Sequence, residues 1–323
     1  MKSVKKYICI LALESCFLSG IQAQSIFDLS ILNRSTQSMG MGALSNAMEV
    51  NAFSVFDNAS KTAFTHRGLE VGGQYAPWAK NLTKEMERDN RLFQMGMYYS
   101  ISDKHKLLLG VSNFSLGGDD LYLTDENGNV TTQEIKPMYT SIHAGYATRL
   151  FEYWGASAVL NYAQWNPDLG DRVHALSVDL GVTRRWNLQG QDLLDLSFRA
   201  AGWGAVVSGQ DGYKLPGLLN LGAWYQKVIG EEHQLRGGLD FGYQCLGETA
   251  FRGGVGMEYA FHQSAFVRGG YQFCSEDNAQ NGFATVGLGV RLFDTVQLDG
   301  AYLLAGSDSP LKNTFMVGFQ VKL

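Results

Sequence analysis

Ten charged side chains recur in stretches where polar and apolar residues alternate: Asp179, Asp195, Arg199, Arg236, Asp240, Arg252, Glu258, Arg268, Arg291 and Asp299. In residues 233–245, Leu235, Leu239, Phe241 and Tyr243 share one parity, and Gln234, Arg236, Asp240 and Gln244 share the other. Residues 249–261 set Phe251, Val255, Met257, Tyr259 and Phe261 against Arg252 and Glu258. Carboxylates and guanidinium groups on one face can pair and hold water. Because both signs are mixed, they suit a network stiffening a wall better than a selectivity filter.

Other chemistry-bearing residues are sparse. His66, His105, His143, His174, His233 and His262 stand singly, with no spacing that suits a metal. Asp119-Asp120 and Asp125-Glu126-Asn127 make an acidic loop without the Gly and terminal Glu of a calcium loop. No G-x-S-x-G, H-E-x-x-H or C-x-x-C occurs, so the reading is of a chain that is no enzyme, with no cofactor and no metal. A net charge of −5 argues against a nucleic-acid partner.

Period-two alternation places these residues on strands. Fourteen segments carry it: 68–77, 91–101, 105–117, 138–149, 152–165, 172–186, 192–203, 216–227, 233–245, 249–261, 263–273, 281–293, 295–304 and 312–323. Most run past the five or six residues of an ordinary strand and reach the nine to eleven or so that cross a bilayer. Tight and longer connections alternate along the chain, as periplasmic turns and outer loops do in outer-membrane barrels. The 38 glycines, 33 Phe plus Tyr and 5 prolines suit such a sheet. The expected fold is all-β, a 14-stranded antiparallel transmembrane outer-membrane barrel. Its apolar face meets lipid, and Tyr75, Trp78, Tyr98, Tyr99, Trp154, Trp165, Trp186 and Trp203 suit the interfacial girdles.

The segments outside the barrel follow. Lys2, Lys5 and Lys6, then an apolar run ending in Ile21-Gln22-Ala23, read as a signal peptide over 1–23 cleaved after Ala23, for export to the outer membrane of a Gram-negative bacterium. Residues 24–67 lack strand character and are expected to plug the lumen, because fourteen strands enclose more space than their own side chains fill. The barrel is assigned to 68–323. Its last strand is expected to pair with its first, with Phe319, Val321 and Leu323 facing lipid. Cys245 and Cys274 fall two strands apart, too far for a disulfide without loop movement.

Several stretches resemble the PorV family of the Bacteroidetes, FadL-like barrels of type IX secretion. They are SMGMGALSNAMEVNAFSVFDNASKTAF (38–64), GLEVGGQYAPWAKNL (68–82), LLLGVSNFSLGG (107–118) and LYLTDENGNV (121–130). Asn58-Ala59-Ser60 stands where that family carries N-P-A in its plug, and a PorQ-like paralogue fits too. The resemblance implies a shuttle that takes cargo C-terminal β-domains from a translocon to a surface attachment complex. Trp78, Tyr122, Trp203 and Tyr213, in or beside long loops, are candidate extracellular contacts to cargo. The alternative is a FadL-like transporter of small hydrophobic molecules. It would need a lateral opening or a lumen pocket lined by apolar groups.

Overall fold

The computed structural model describes residues 34–66, 68–77, 90–117, 119–124, 130–168, 170–209, 213–246, 249–275, 282–306, 309 and 311–323. The expected signal peptide and Trp78 lie outside them. Fourteen strands close a single antiparallel barrel. They are β1 (Leu69–Ala76), β2 (Arg91–Ser100), β3 (His105–Ser115), β6 (Met138–Phe151), β7 (Trp154–Asn166), β8 (Val173–Asn187), β9 (Leu193–Ser208), β10 (Leu218–Ile229), β11 (His233–Gln244), β12 (Ala250–Phe261), β13 (Ala265–Cys274), β14 (Phe283–Leu292), β15 (Val296–Leu304) and β16 (Phe315–Lys322). The loop over 118–137, expected to be strandless, holds a separate hairpin of β4 (Asp119–Thr124) and β5 (Val130–Ile135). Short alternating segments such as Val130-Thr131-Thr132 carry too few residues to stand out from loop sequence.

The barrel closes where the alternation at the chain's end predicts. β1 pairs with β16 from Glu70↔Lys322 to Tyr75↔Val317, and Leu69 and Leu323 exchange N–H···O bonds of 2.9 and 2.7 Å. Neither strand is left with a free edge. Phe319 and Leu323 point outward and are exposed, with Val321 half-buried on the same face. At the turn end, His262 and Gln263, like Phe293 and Asp294, take left-handed backbone, whose twist matches the strands it joins.

Burial is inverted relative to a soluble sheet. Leu109, Leu160, Val267 and Leu288 on the outer face are 50–65% exposed. Gln94, Thr183 and Asp195 on the inner face are wholly buried. Such an apolar outer wall requires hydrocarbon around it. Among the described residues no helix is long and apolar enough to cross a membrane.

Parity also sorts the expected girdle. Tyr75, Tyr99, Trp154 and Trp203 face outward, whereas Tyr98 and Trp165 face the lumen. Tyr98 and Tyr99 are neighbours on one strand, so only one of them can meet lipid. Three outward histidines extend the girdle. His105, His174 and His233 each begin a strand, and each Nδ1 contacts the hydroxyl of Tyr146, Tyr162 or Tyr259 at 2.5, 2.7 and 2.6 Å. Each tyrosine lies diagonally across, two residues further into the wall, where its hydroxyl has no water to bond.

Residues 34–66 fill the barrel interior. Ser35 caps a one-turn helix, α1 (Thr36–Met39), by accepting from the Ser38 amide at 3.1 Å. Asn58 Oδ1 accepts from the Ser60 amide at 3.0 Å and starts a 3-10 helix over Ala59–Phe64. The predicted plug motif Asn58-Ala59-Ser60 is therefore a helix cap, and all three residues are buried. Close approach explains the small residues at the contact. A Cβ on Gly42, whose φ is +70°, would lie 2.6 Å from the Val255 carbonyl oxygen. One on Gly256 of the wall would lie 2.3 Å from that of Met41.

Candidate functional site: a plugged lumen with an apolar mouth

All ten of the charged residues that alternate with apolar neighbours project inward. Nine are buried, and Arg291 is half-buried. They form the expected mixed network. Arg268 bridges Glu258 (2.5 Å) and Asp299 (2.6 Å), and Arg236 adds a second bond to Glu258 at 2.7 Å and one to Glu49 of the plug. Arg185 holds Asp195 through two bonds of 2.8 Å, while Lys61 of the plug approaches it at 3.7 Å. Charges so placed, away from water, persist only because each has a partner.

The plug is tied to this wall by its own backbone. Asp240 accepts from three consecutive plug amides, those of Ser45, Asn46 (2.7 Å) and Ala47 (2.7 Å). Gln74 accepts from the Thr36 amide at 2.8 Å and donates to the Arg34 carbonyl at 2.6 Å. Gln37 donates to Asp299 at 3.1 Å, and Asn46 donates to the Ser197 carbonyl at 2.8 Å. Buried N–H groups outside a helix or sheet need such acceptors. Burial shifts the titration of the plug's charged groups, Asp57 and Lys61 among them. Burial pushes Asp57 up to about 7, against the pull of Arg34. Burial lowers Lys61 to about 8, against the pull of Asp195.

On the turn side of the plug lies a polar vestibule lined by Glu49, Glu70, Asp195, Arg185, Arg291 and Lys322 among others. The loop end differs. Leu92, Phe114, Tyr139, Trp165, Val173, Phe283, Leu303 and Met316 are all buried, inward-facing, and first or second from the loop end of their strands. They form an apolar ring above the charged tier. Sequence reasoning assigned the inner face to polar groups throughout and missed this ring. Its signal is the lapse of alternation at strand ends, as in Leu92-Phe93 and Tyr302-Leu303-Leu304.

The wall is interrupted in this upper tier. β9 pairs with β10 only as far as Ala201↔Leu218, yet it continues against β8 to Ser208. Pro216 has no N–H with which to extend the β10 ladder, and the Gly217 carbonyl turns away to accept from the Cys245 amide at 2.8 Å. Beyond Gly202 no residue of β9 is buried on either face. Directly behind the gap is a small cavity that combines Tyr139, Ala163, Leu215 and Leu218 with His143, Asn161, Asp179 and Arg199.

Of the proposed cargo contacts, Trp203 is exposed on the unpaired stretch of β9, and Tyr213 is half-buried against the apolar ring. Tyr122 lies on β4, and Trp78 lies outside the described residues. Asp119 and Asp120 begin β4, and residues 125–127 lie outside the described residues; among the described residues no group of three or more His, Cys, Asp or Glu could hold a metal. Cys245 and Cys274 are unbridged. His143, read from sequence as one of six scattered histidines, is a lumen residue, with Nδ1 2.7 Å from Asn161 Oδ1.

No protein-family model matches the chain, and no curated protein matches it in sequence. Solved structures do match its shape. The monoaromatic hydrocarbon channel CymD aligns with a TM-score of 0.56 at 11% identity, over 90% of this chain and 98% of that one. The Pseudomonas putida toluene transporter TodX aligns at 0.54 and 12% identity, over 90% and 96%. A Pseudomonas aeruginosa FadL homologue aligns at 0.50 and 11%, over 90% and 97%. The shared feature is the fold: this chain is a closed 14-stranded antiparallel barrel like the FadL-like outer-membrane barrels.

Proposed function

We propose that the chain is an outer-membrane channel for small hydrophobic molecules, of the FadL-like kind. The carrying observation is the apolar inner ring at the loop end, set beside a break in the wall between β9 and β10. An apolar solute gains by leaving water for such a ring. The charged tier and plug below bar its direct path to the periplasmic side. The break offers an exit sideways into the membrane. The likeness to hydrocarbon channels supports the same reading. The test is flux: purified chain in vesicles should speed entry of a small aromatic hydrocarbon, and deletion in the native host should slow its uptake. Flux equal to that of empty vesicles would refute the channel.

A second reading, a PorV-like shuttle of type IX secretion, keeps support from the sequence resemblance over 38–130 and from the β4–β5 hairpin in the long connection between β3 and β6. Its partners would be a translocon, an attachment complex and cargo C-terminal β-domains. Gentle solubilisation from the native membrane should then recover cargo with the chain, and recovery of none during active secretion would remove this reading.

A further inference from the structure

The break in the wall has a residue that sets it. In the β8–β9 ladder Leu180 pairs with Ala200, but Val178 pairs with Trp203, so Asp179 faces two residues of β9, Ala201 and Gly202. This is a bulge, with Gly202 at φ +70°. The extra residue reverses the parity of β9, which turns Trp203 outward opposite Val178. The Gly202 amide donates to Asp179 Oδ1 at 2.8 Å, a side-chain acceptor in place of a strand carbonyl. Arg199 donates to Oδ2 of the same carboxylate at 2.5 Å, and Asn161 donates to Oδ1 at 2.9 Å. A second acceptor is close by: a Cβ on Gly202 would lie 2.2 Å from the Pro216 carbonyl oxygen, on the β10 side.

We infer that Asp179 is a positioning residue that holds the exit between β9 and β10 open by taking the Gly202 amide away from the Pro216 carbonyl. The inference rests on the channel reading above and names the group that controls its exit. Without the carboxylate, the Gly202 amide must find another acceptor or remain orphaned. The Pro216 carbonyl lies beside Gly202 on the β10 side, and bonding to it draws β9 against β10. Trp203 and the residues after it then gain a neighbour they now lack. Removing Asp179 therefore narrows the exit rather than loosening it; Arg199 loses its carboxylate partner, while the plug amides on Asp240 keep theirs.

The test pairs two measurements on the full chain in phospholipid vesicles, for wild type, Asp179→Ala and Asp179→Asn, each first checked for the heat-modifiable migration of a folded barrel. The first is amide hydrogen exchange over residues 202–208, and the second is flux of toluene as the probe. Asp179→Ala is expected to slow exchange in that stretch and to lower flux about tenfold. Asp179→Asn, which keeps one amide oxygen for Gly202, should fall between. A purely structural role predicts the opposite sign, faster exchange, and that result would overturn the inference. So would unchanged exchange and flux in Asp179→Asn, should Asp179→Ala not fold. Absence of toluene flux in the wild type would sink the channel reading and the exit with it, whereas wild-type flux that neither variant alters sinks the Asp179 assignment alone.

Discussion

The two ends of the lumen solve different problems with the same strands. Toward the turns the inner wall is charged, the ladders run on with one bulge at Arg149/Phe151, and the plug is bonded to the wall at many points. Toward the loops the inner wall is apolar, and one ladder stops short. A charged tier can be rigid because its groups satisfy one another in only a few geometries. An apolar ring imposes no such geometry and accepts any solute that fits. The contrast separates closure from admission, each handled at its own end.

The comparison breaks most sharply at Arg268. Its replacement by Ala would leave Asp299 without its cation and Glu258 with Arg236 alone, at a cost of about 3–5 kcal/mol by analogy with other buried pairs. Urea unfolding of vesicle-inserted protein should show this as a much lower midpoint, while apolar flux through surviving folded barrels stays within about twofold.

Asp240→Ala removes the acceptor of three plug amides. Each orphaned donor costs about 1–3 kcal/mol, part of which entering water recovers. The expected result is a plug that detaches locally: ion conductance in a planar bilayer rises and residues 43–48 become open to protease. Conductance unchanged from wild type would show that Asp240 is not a fastening point.

At the other end, Leu303→Asn should leave the charged tier intact and lower flux of an apolar solute by roughly tenfold, equivalent to about 1.4 kcal/mol. Equal flux would mean that solute does not pass the ring.

The smallest effect concerns Asp57. Its carboxyl ordinarily titrates near 3.8 and is pushed up to about 7 in the plug. The folded chain therefore binds that proton more tightly than the unfolded chain does. The stability it contributes is full below about pH 4 and is lost as pH rises through about 7. Asp57→Asn should match wild type near pH 4 and exceed it at pH 8, read from urea midpoints.

Much of the wall was legible because lipid makes alternation strict. Residues 233–245 and 249–261 show it, and β11 and β12 form within a residue or so of those bounds. The inward charges were legible for the same reason. The apolar ring was not, since Phe283 and Leu303 look in sequence like further lipid-facing residues. The bulge was not legible either, because Gly202 and Gly204 look like any other glycines in a strand. The acceptor role of Asp240 toward the plug arises between residues 193–195 positions apart, a pairing that no local pattern carries.

The sequence alone determined the number of barrel strands, which face meets lipid, and the closure of strand 315–322 on strand 69–76, because each follows from period two and a solvent that tolerates no free edge. Tertiary structure decided where the plug is held, which end of the lumen is apolar, and where the wall parts. Those depend on which carboxylate meets which amide across the barrel, and such distances are set only once all fourteen strands have closed.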